Sequence, residues 1–364
     1  MNIKILHFAS FKGNIGDSLS HQGFYTILKD SGIKAQITEL EIRDFYKSNK
    51  KKRLIDESIV KIINDHDLLI IGGGGFLDYW VNDSQTGTSI DISTTLYDKI
   101  KVPIIFNSIG SIPHKEVSNE NIKKYSKFLS KILNDKKTKL FLRNDGSANS
   151  LRRDFNVNLP TYLDNGFYYK SNDIDSKTQD NDYVIINVNY DQLKMNNLIV
   201  PSISLESFVD EICNLINWFV ANTDKNIMFT PHIYKDFEVI HDVLNKLDDN
   251  VARYRIRVSE YAQGNNHIDY FYSIYKNASF IFAMRLHANI LGMTSNGNLI
   301  GICGLDRIYH LHKSVNSESF VMLENNFSNN MIEKYKNFSM PNYTFNDKIK
   351  IDSETLIQTI KELF

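Results

Sequence analysis

Ser279-Phe-Ile-Phe-Ala-Met-Arg-Leu-His-Ala-Asn-Ile-Leu-Gly-Met-Thr294, followed by Asn298-Leu-Ile-Gly-Ile-Cys303, is the stretch on which the fold turns. Phe280 to Met284 is an apolar run of strand length, and Ala288 to Met293 continues as a helix-like segment. Asn298 to Cys303 is a second buried strand. Strand, short helix and strand imply a parallel pair with a crossover. Arg285 and His287 fall at the carboxyl end of the first strand, the edge where open parallel sheets take ligands. A helix start there offers backbone N–H groups and a positive dipole end to an anion. Arg285 adds a planar fork of donors suited to a carboxylate or phosphate. His287 adds a group that moves protons near neutral pH. The same pair is compatible with plain carbonyl capping or with pairing to a nearby acid, so the rest of the chain has to weigh in.

Towards the N-terminus the alternation repeats. Ile3 to Ala9 is a strand, Gly13-Asn-Ile-Gly-Asp17 a tight turn, and Ser18 to Ser31 a helix. Gly13 and Gly16 permit the turn, while Asn14 and Asp17 can hydrogen-bond backbone at the helix start. Asp17 is therefore read either as an N-cap or as a functional carboxylate. A strand at 35–40 and a helix at 55–64 flank Lys50-Lys-Lys-Arg53, read as solvated surface in preference to a contact for anionic lipid. In Asp67-Leu-Leu-Ile-Ile-Gly-Gly-Gly-Gly-Phe-Leu-Asp78 a buried strand runs into four glycines. Backbone can approach a ligand closely there, or simply a packed neighbour. The spacing is neither G-x-G-x-x-G nor a Walker A loop. Strands at 102–108 and 140–143, with helices at 121–133 and up to Asp154, complete this half.

A polar stretch at 169–182 reads as a linker. Beyond it come a strand at 183–188, a helix at 205–221, a strand at 226–230 ending Pro231-His232, and a helix at 237–247. A strand at 253–258 and a helix at 268–277 lead into the opening unit. The segment 325–346 has no clear pattern. Two alternating halves predict an α/β protein with twin Rossmann-like domains facing across a cleft. The predicted domains are 1–168 and 183–352, with a terminal helix at 353–364 crossing back to the first.

Length agrees, since 364 residues exceed one ordinary core. A net charge of −1 gives no basic excess for nucleic acid. Cys213 and Cys303 lack C-x-x-C spacing and read as buried thiols in a reducing compartment. No apolar run approaches the ~18 residues of a membrane span. The N-terminus starts at once as a strand, without a signal peptide's cleavage region, so a soluble cytoplasmic protein is expected. His310-x-His312 has no evident third ligand, and no metal is expected.

Together the motifs resemble the polysaccharide pyruvyltransferase family. The matching pieces are Gly13–Asp17, Ile71–Asp78, Ser108-Ile-Gly110, Arg143-Asn-Asp145 with Ser147, Leu163-Asp164, Pro231-His232 with Asp236, and Met284-Arg-Leu-His-Ala288. They run in family order over residues 3–311. The resemblance implies a two-domain GT-B-like fold, with an acceptor-side first domain and a donor-side second domain. It implies transfer of the enolpyruvyl unit of phosphoenolpyruvate to two hydroxyls of a sugar, giving a cyclic pyruvate ketal. No cofactor is implied. The partners would be phosphoenolpyruvate and a sugar or lipid-linked oligosaccharide, with peripheral membrane contact at most.

On that resemblance, Arg285, Arg143 and Arg307 are candidates to hold the anionic donor, with Arg307 in place of a lysine. His287 is the candidate general acid, and Asp17 or Asp78 the base. Asn14, His232, Gly73, Gly74 and Gly75 are candidate substrate contacts. A nucleotide-sugar glycosyltransferase and a non-catalytic sugar-binding relative are the competing expectations.

Overall fold

The computed structural model describes residues 1–46, 53–171, 182–195 and 197–364. Lys50–Lys52 of the basic run, and most of the predicted linker, lie outside the described residues. The described chain forms two compact units. The first comprises Met1–Lys12, Ser20–Tyr169 and Phe345–Phe364, and the second Gly13–Leu19 and Lys170–Thr344.

The first unit contains β1 (Asn2–Ala9), most of α1 (Ile15–Asp30), β2 (Lys34–Glu41), α2 (Glu57–Asn64), β3 (Leu68–Gly72) and α3 (Thr94–Asp98). It continues with β4 (Ile104–Ile109), α4 (Asn119–Asn134), β5 (Thr138–Arg143), α5 (Ser147–Phe155) and β6 (Thr161–Tyr162). The strands form one parallel sheet in the order β2-β1-β3-β4-β5-β6. β3 and β4 are buried at every residue, which is why they read as apolar runs and not as alternation. Their covering helices are amphipathic. α4 buries Asn121, Tyr125, Phe128, Leu129 and Ile132 at helical spacing, and Ser118 caps it by accepting from Asn121 N–H.

The second unit contains β7 (Tyr183–Asn187), α6 (Leu205–Asn222), β8 (Asn226–Phe229), α7 (Asp236–Lys246), α8 (Asp249–Arg255), β9 (Ile256–Val258) and α9 (Ile268–Asn277). β10 (Phe280–Ala283), α10 (Leu286–Ser295), β11 (Leu299–Cys303), α11 (Asp306–Ser314), β12 (Phe320–Met322) and α12 (Phe327–Lys336) follow. Its sheet is also parallel, ordered β12-β11-β10-β7-β8-β9. Counted within the unit, this is the 3-2-1-4-5-6 order of a Rossmann sheet, whereas the first unit begins 2-1-3-4-5 like a flavodoxin.

Three sequence expectations shift. The strand expected at 253–258 keeps only Ile256–Val258. Residues 253–255 close α8, because Asp248 caps that helix and Arg253 pairs with Asp249 one turn back. The unpatterned 325–346 segment holds α12, whose Tyr335 ring packs 4.9 Å from both Phe219 and Phe280. The last helix, α13 (Phe345–Glu362), starts eight residues before the expected 353, with Phe345, Leu356, Ile357 and Ile360 buried along it. It belongs to the first unit, where Asp352 accepts from Leu163 N–H at 2.8 Å.

Both cysteines are free and buried. Burial pushes the Cys213 thiol up to about 11 and raises that of Cys303 further. Among the described residues no helix is long and apolar enough to cross a membrane.

Candidate functional site

Each sheet has one place where the chain leaves neighbouring strands in opposite directions, opening a crevice at their carboxyl ends. In the second unit that place lies between β7 and β10. Arg285, at the N-cap of α10, stands there with an extended backbone and makes no side-chain cap bond. The first-turn amides of α10 therefore have no cap from that side chain.

Arg285 is fixed from three directions. Its N–H donates to Asn187 Oδ1 at 3.0 Å, and Asn187 Nδ2 donates in turn to Thr230 O at 2.7 Å. One amide at the end of β7 thus links the ends of three strands. The guanidinium donates through Nε to Asp236 Oδ2 at 2.8 Å, and through Nη2 to Asp236 Oδ1 and to Asp191 at 3.5 Å. Asp236 is fully buried and its Oδ2 also accepts from the N–H groups of His232 and Ile233. Burial opposes the Arg285 charge, but Asp236 and Asp191 hold its pKa above the ordinary value. This bidentate grip fixes the plane of the fork. It leaves Nη1 as the edge not engaged by either carboxylate.

His287 lies in the first turn of α10 and is 7 % exposed. Gly16 presses on it: a Cβ there would stand 2.6 Å from Nδ1 and 2.7 Å from Cβ of His287. The expected helix start at Ser18 moves forward to Ile15. Asn14, not Asp17, is the capping residue, with Oδ1 accepting from Gly16 N–H and Nδ2 donating to Asp17 Oδ1, both at 3.0 Å. Asp17 thereby becomes a first-turn carboxylate, 8 % exposed. The same turn meets the β8 end, where Ile15 N–H donates to His232 O at 3.3 Å. His232 is buried, with Nε2 3.0 Å from Tyr275 OH and with Nδ1 lacking a hydrogen-bond partner among the described residues. Burial, then the charges of Arg285 and His287, push its pKa well below the usual histidine value. Arg285, His287, His232, Asn14, Gly16 and Asp17 are all parts of the second unit. Arg307 is also in that unit, half-buried at the start of α11.

The other expected site residues occupy the first unit. Arg143 is 2 % exposed, donates through Nε to Asp145 Oδ2 at 2.6 Å and has Nη1 3.7 Å from Asp164. Asp145 accepts from Ser147 Oγ, which accepts from Ser111 N–H. Asp164 accepts from Ser108 Oγ and from Gly166 N–H. Asp78 Oδ1 accepts from Ile112 N–H at 2.7 Å. Gly73, Gly74 and Gly75 follow β3 at the β1/β3 crevice, yet their close neighbours are protein: His21 for Gly73, Phe76 for Gly74 and Asp78 for Gly75. Gly73 N–H donates to Asn107 O and Gly74 O accepts from Gly110 N–H, extending the ladder to β4 beyond the regular strand.

The sequence reading missed Asn187, Asp191 and Tyr275 as supports of the site. The signal for Asn187 was available: a polar residue closes the apolar run Tyr183-Val-Ile-Ile-Asn187, at a strand's carboxyl end. Asp191 and Tyr275 carry no local signal, because their partners are distant in sequence.

The architecture, two parallel six-stranded sheets flanked by helices, is GT-B-like. It is similar to UDP-GlcNAc 2-epimerase from Methanocaldococcus jannaschii, with a TM-score of 0.56 and 13% identity over 99% of both chains. The S. aureus MnaA–UDP co-structure gives 0.52 and 12% over 92% of this chain and 87% of that one. At such identity the likeness shows the fold alone. No curated protein matches by sequence. The model of the polysaccharide pyruvyl transferase family matches residues 14–302, and the chain belongs to that family.

Proposed function

We propose that this protein transfers the enolpyruvyl group of phosphoenolpyruvate to two hydroxyls of one sugar in a cell-surface polysaccharide precursor. The observation that carries the proposal is the Arg285–His287 turn at the β7/β10 crevice. It sets an oriented guanidinium and an imidazole on one helix start, and the family matched by residues 14–302 is a pyruvyl transferase. The donor is a dianion or trianion with a carboxylate and a phosphate, which a guanidinium edge and helix amides suit.

The chemistry runs in balanced steps. His287 gives a proton to the donor methylene carbon, leaving an oxocarbenium-like centre at the carbon that bears the phosphate. A sugar hydroxyl adds there, with Asp17 accepting its proton. Phosphate then leaves with the C–O electron pair and takes the proton held by Asp17, and the second hydroxyl adds to the cationic carbon to close the ketal, its proton returning to His287. The net products are the ketal and hydrogen phosphate. Arg285 holds the donor through the edge that Asp236 leaves exposed, Arg307 adds a second cation, and buried His232 steadies the turn at Ile15 through its backbone carbonyl. Asp17 is preferred to Asp78 as base because it shares the compact unit of Arg285 and His287. Arg143 is assigned to the scaffold, its charge already matched by Asp145 and Asp164. The reaction requires no metal or cofactor, and a precursor made at the cytoplasmic face would call only for peripheral membrane contact.

Incubation with phosphoenolpyruvate and a panel of free and lipid-linked sugars tests this. Phosphate release together with a pyruvate-sized mass gain on one sugar is the expected result. Thermal stabilisation by UDP but not by phosphoenolpyruvate, with no phosphate released, would transfer the reading to a nucleotide-sugar enzyme.

A further inference from the structure

Behind the Arg285 turn lies a buried chain of hydrogen bonds that meets the turn through the side chain of Asn289. Asn289, on α10, donates from Nδ2 to Ala283 O and to Arg285 O, both at 2.9 Å. It therefore ties the last residue of β10 to the cap residue of α10. With the amide nitrogen committed to two carbonyls, Asn289 Oδ1 is the acceptor for His312 Nε2 at 2.9 Å. His312 must then carry its proton on Nε2 and present a lone pair at Nδ1. Ser317 Oγ fills that position at 3.1 Å, and itself accepts from Ser319 N–H at 3.2 Å. All the donors point the same way, from the approach to β12 across α11 to the turn.

Asn289 and His312 are fully buried, with Ser317 nearly so. Burial, with a lesser push from Lys334, takes the His312 pKa down to about 3. The ring is thus neutral throughout the working range, and both nitrogens are occupied, which removes His312 from any metal pair with His310. The floor under the bond is Gly301 of β11: a Cβ there would overlap His312 Nε2 and stand 2.7 Å from Asn289 Oδ1.

We infer that His312 is a positioning residue, holding Asn289 so that the 283–285 turn presents Arg285 and His287 at one fixed geometry. The inference rests on the proposed donor role of that turn. A fixed amide is needed because Arg285 also answers to Asp236 and Asn187 on other elements, and a turn free to shift about 1 Å would cost on the order of 10²-fold in rate.

The experiment compares His312→Leu, His312→Gln and Gly301→Ala with wild type, in the full chain, by thermal unfolding and steady-state kinetics. His312→Leu deletes the donor while keeping bulk, and His312→Gln restores an N–H near the Nε2 position. The expected result is a KM for phosphoenolpyruvate raised about 10-fold or more in His312→Leu, with the acceptor KM unchanged and recovery to within about 3-fold in His312→Gln. Gly301→Ala wedges the bond apart and should resemble His312→Leu. A folded His312→Leu enzyme with wild-type kinetics would overturn the inference, as would an equal loss in His312→Gln. Nitrogen-15 NMR of labelled histidines provides a readout apart from turnover. The His312 ring should show an Nε2–H tautomer that does not titrate between about pH 5.5 and 8.5. A titrating ring or the Nδ1–H tautomer would sink the tether. Wild-type protein that releases no phosphate from phosphoenolpyruvate, with the tautomer as expected, would refute the donor reading and leave the tether standing as a structural device.

Discussion

The two crevices of this molecule are built from opposite materials. At β1/β3 the sequence spends four glycines, and the space they leave is taken by His21, Phe76, Asp78 and the end of β4. At β7/β10 it uses large polar side chains, and these converge on an oriented guanidinium with one edge left over. The same contrast holds for Arg143 and Arg285. Arg143 is enclosed with Asp145 and Asp164, while Arg285 is 15% exposed on its side chain and is steadied by Asp236 from behind. A glycine run after a strand says that something comes close; it does not say whether that is ligand or protein. A charged residue at a strand end is more telling, because the fold must either match its charge or present it.

This contrast can be broken by experiment. His287→Asn should lower ketal formation by about 10²–10⁴-fold with little change in the unfolding temperature, the usual loss when a general acid is removed. Equal turnover would remove the acid role. Arg143→Met should do the reverse. Leaving Asp145 and Asp164 buried without their cation costs about 3–5 kcal/mol, seen in denaturant unfolding, while any molecules that remain folded turn over normally. Glycine substitutions separate the crevices more finely. Gly72→Ala drives a Cβ into Asn107 O and should cost about 1–3 kcal/mol of stability. Gly16→Ala meets the His287 ring and should show mainly as lost activity.

Much of the fold was legible because both sheets are parallel and their central strands are buried, so that strands such as β3 and β10 appear as unbroken apolar runs. The candidate site was legible where residue type and strand end coincide, at Arg285 and His287. It was illegible where support comes from afar: Asp236 announces a helix start, and nothing local shows that it grips a residue 49 positions later. Likewise the glycine run and Arg143 lie close to protein groups, His21, Phe76, Asp78, Asp145 and Asp164, that nothing local in the sequence announces. Sequence shows which residues are constrained, and only the packed structure distinguishes constraint by a ligand from constraint by a neighbour.

A further effect concerns acid. His7, His232 and His312 all have depressed pKa values, each chiefly through burial. In the unfolded chain they bind protons near pH 6.5, and in the folded protein they do not. The stability they represent is therefore complete above about pH 6.5 and drains as pH falls, at about 1.4 kcal/mol per pH unit for each histidine. For His312 the loss continues to about pH 3. Unfolding temperatures measured from pH 7.5 to 5 should decline, and His312→Gln should decline less steeply than wild type. A flat profile in wild type would refute the assignment of neutral buried rings.

The two buried thiols have a practical side. Thiol reagents attack thiolates, and Cys213 and Cys303 are both shielded and held protonated. The native chain should therefore react slowly with maleimides, which a thiol titration of the folded protein would check. Cysteines introduced at the exposed positions Asn134 and Asn250, one in each compact unit, would be the labelled sites without deleting either native one. A dye pair there would serve as a ruler between the two units and report whether phosphoenolpyruvate changes their separation.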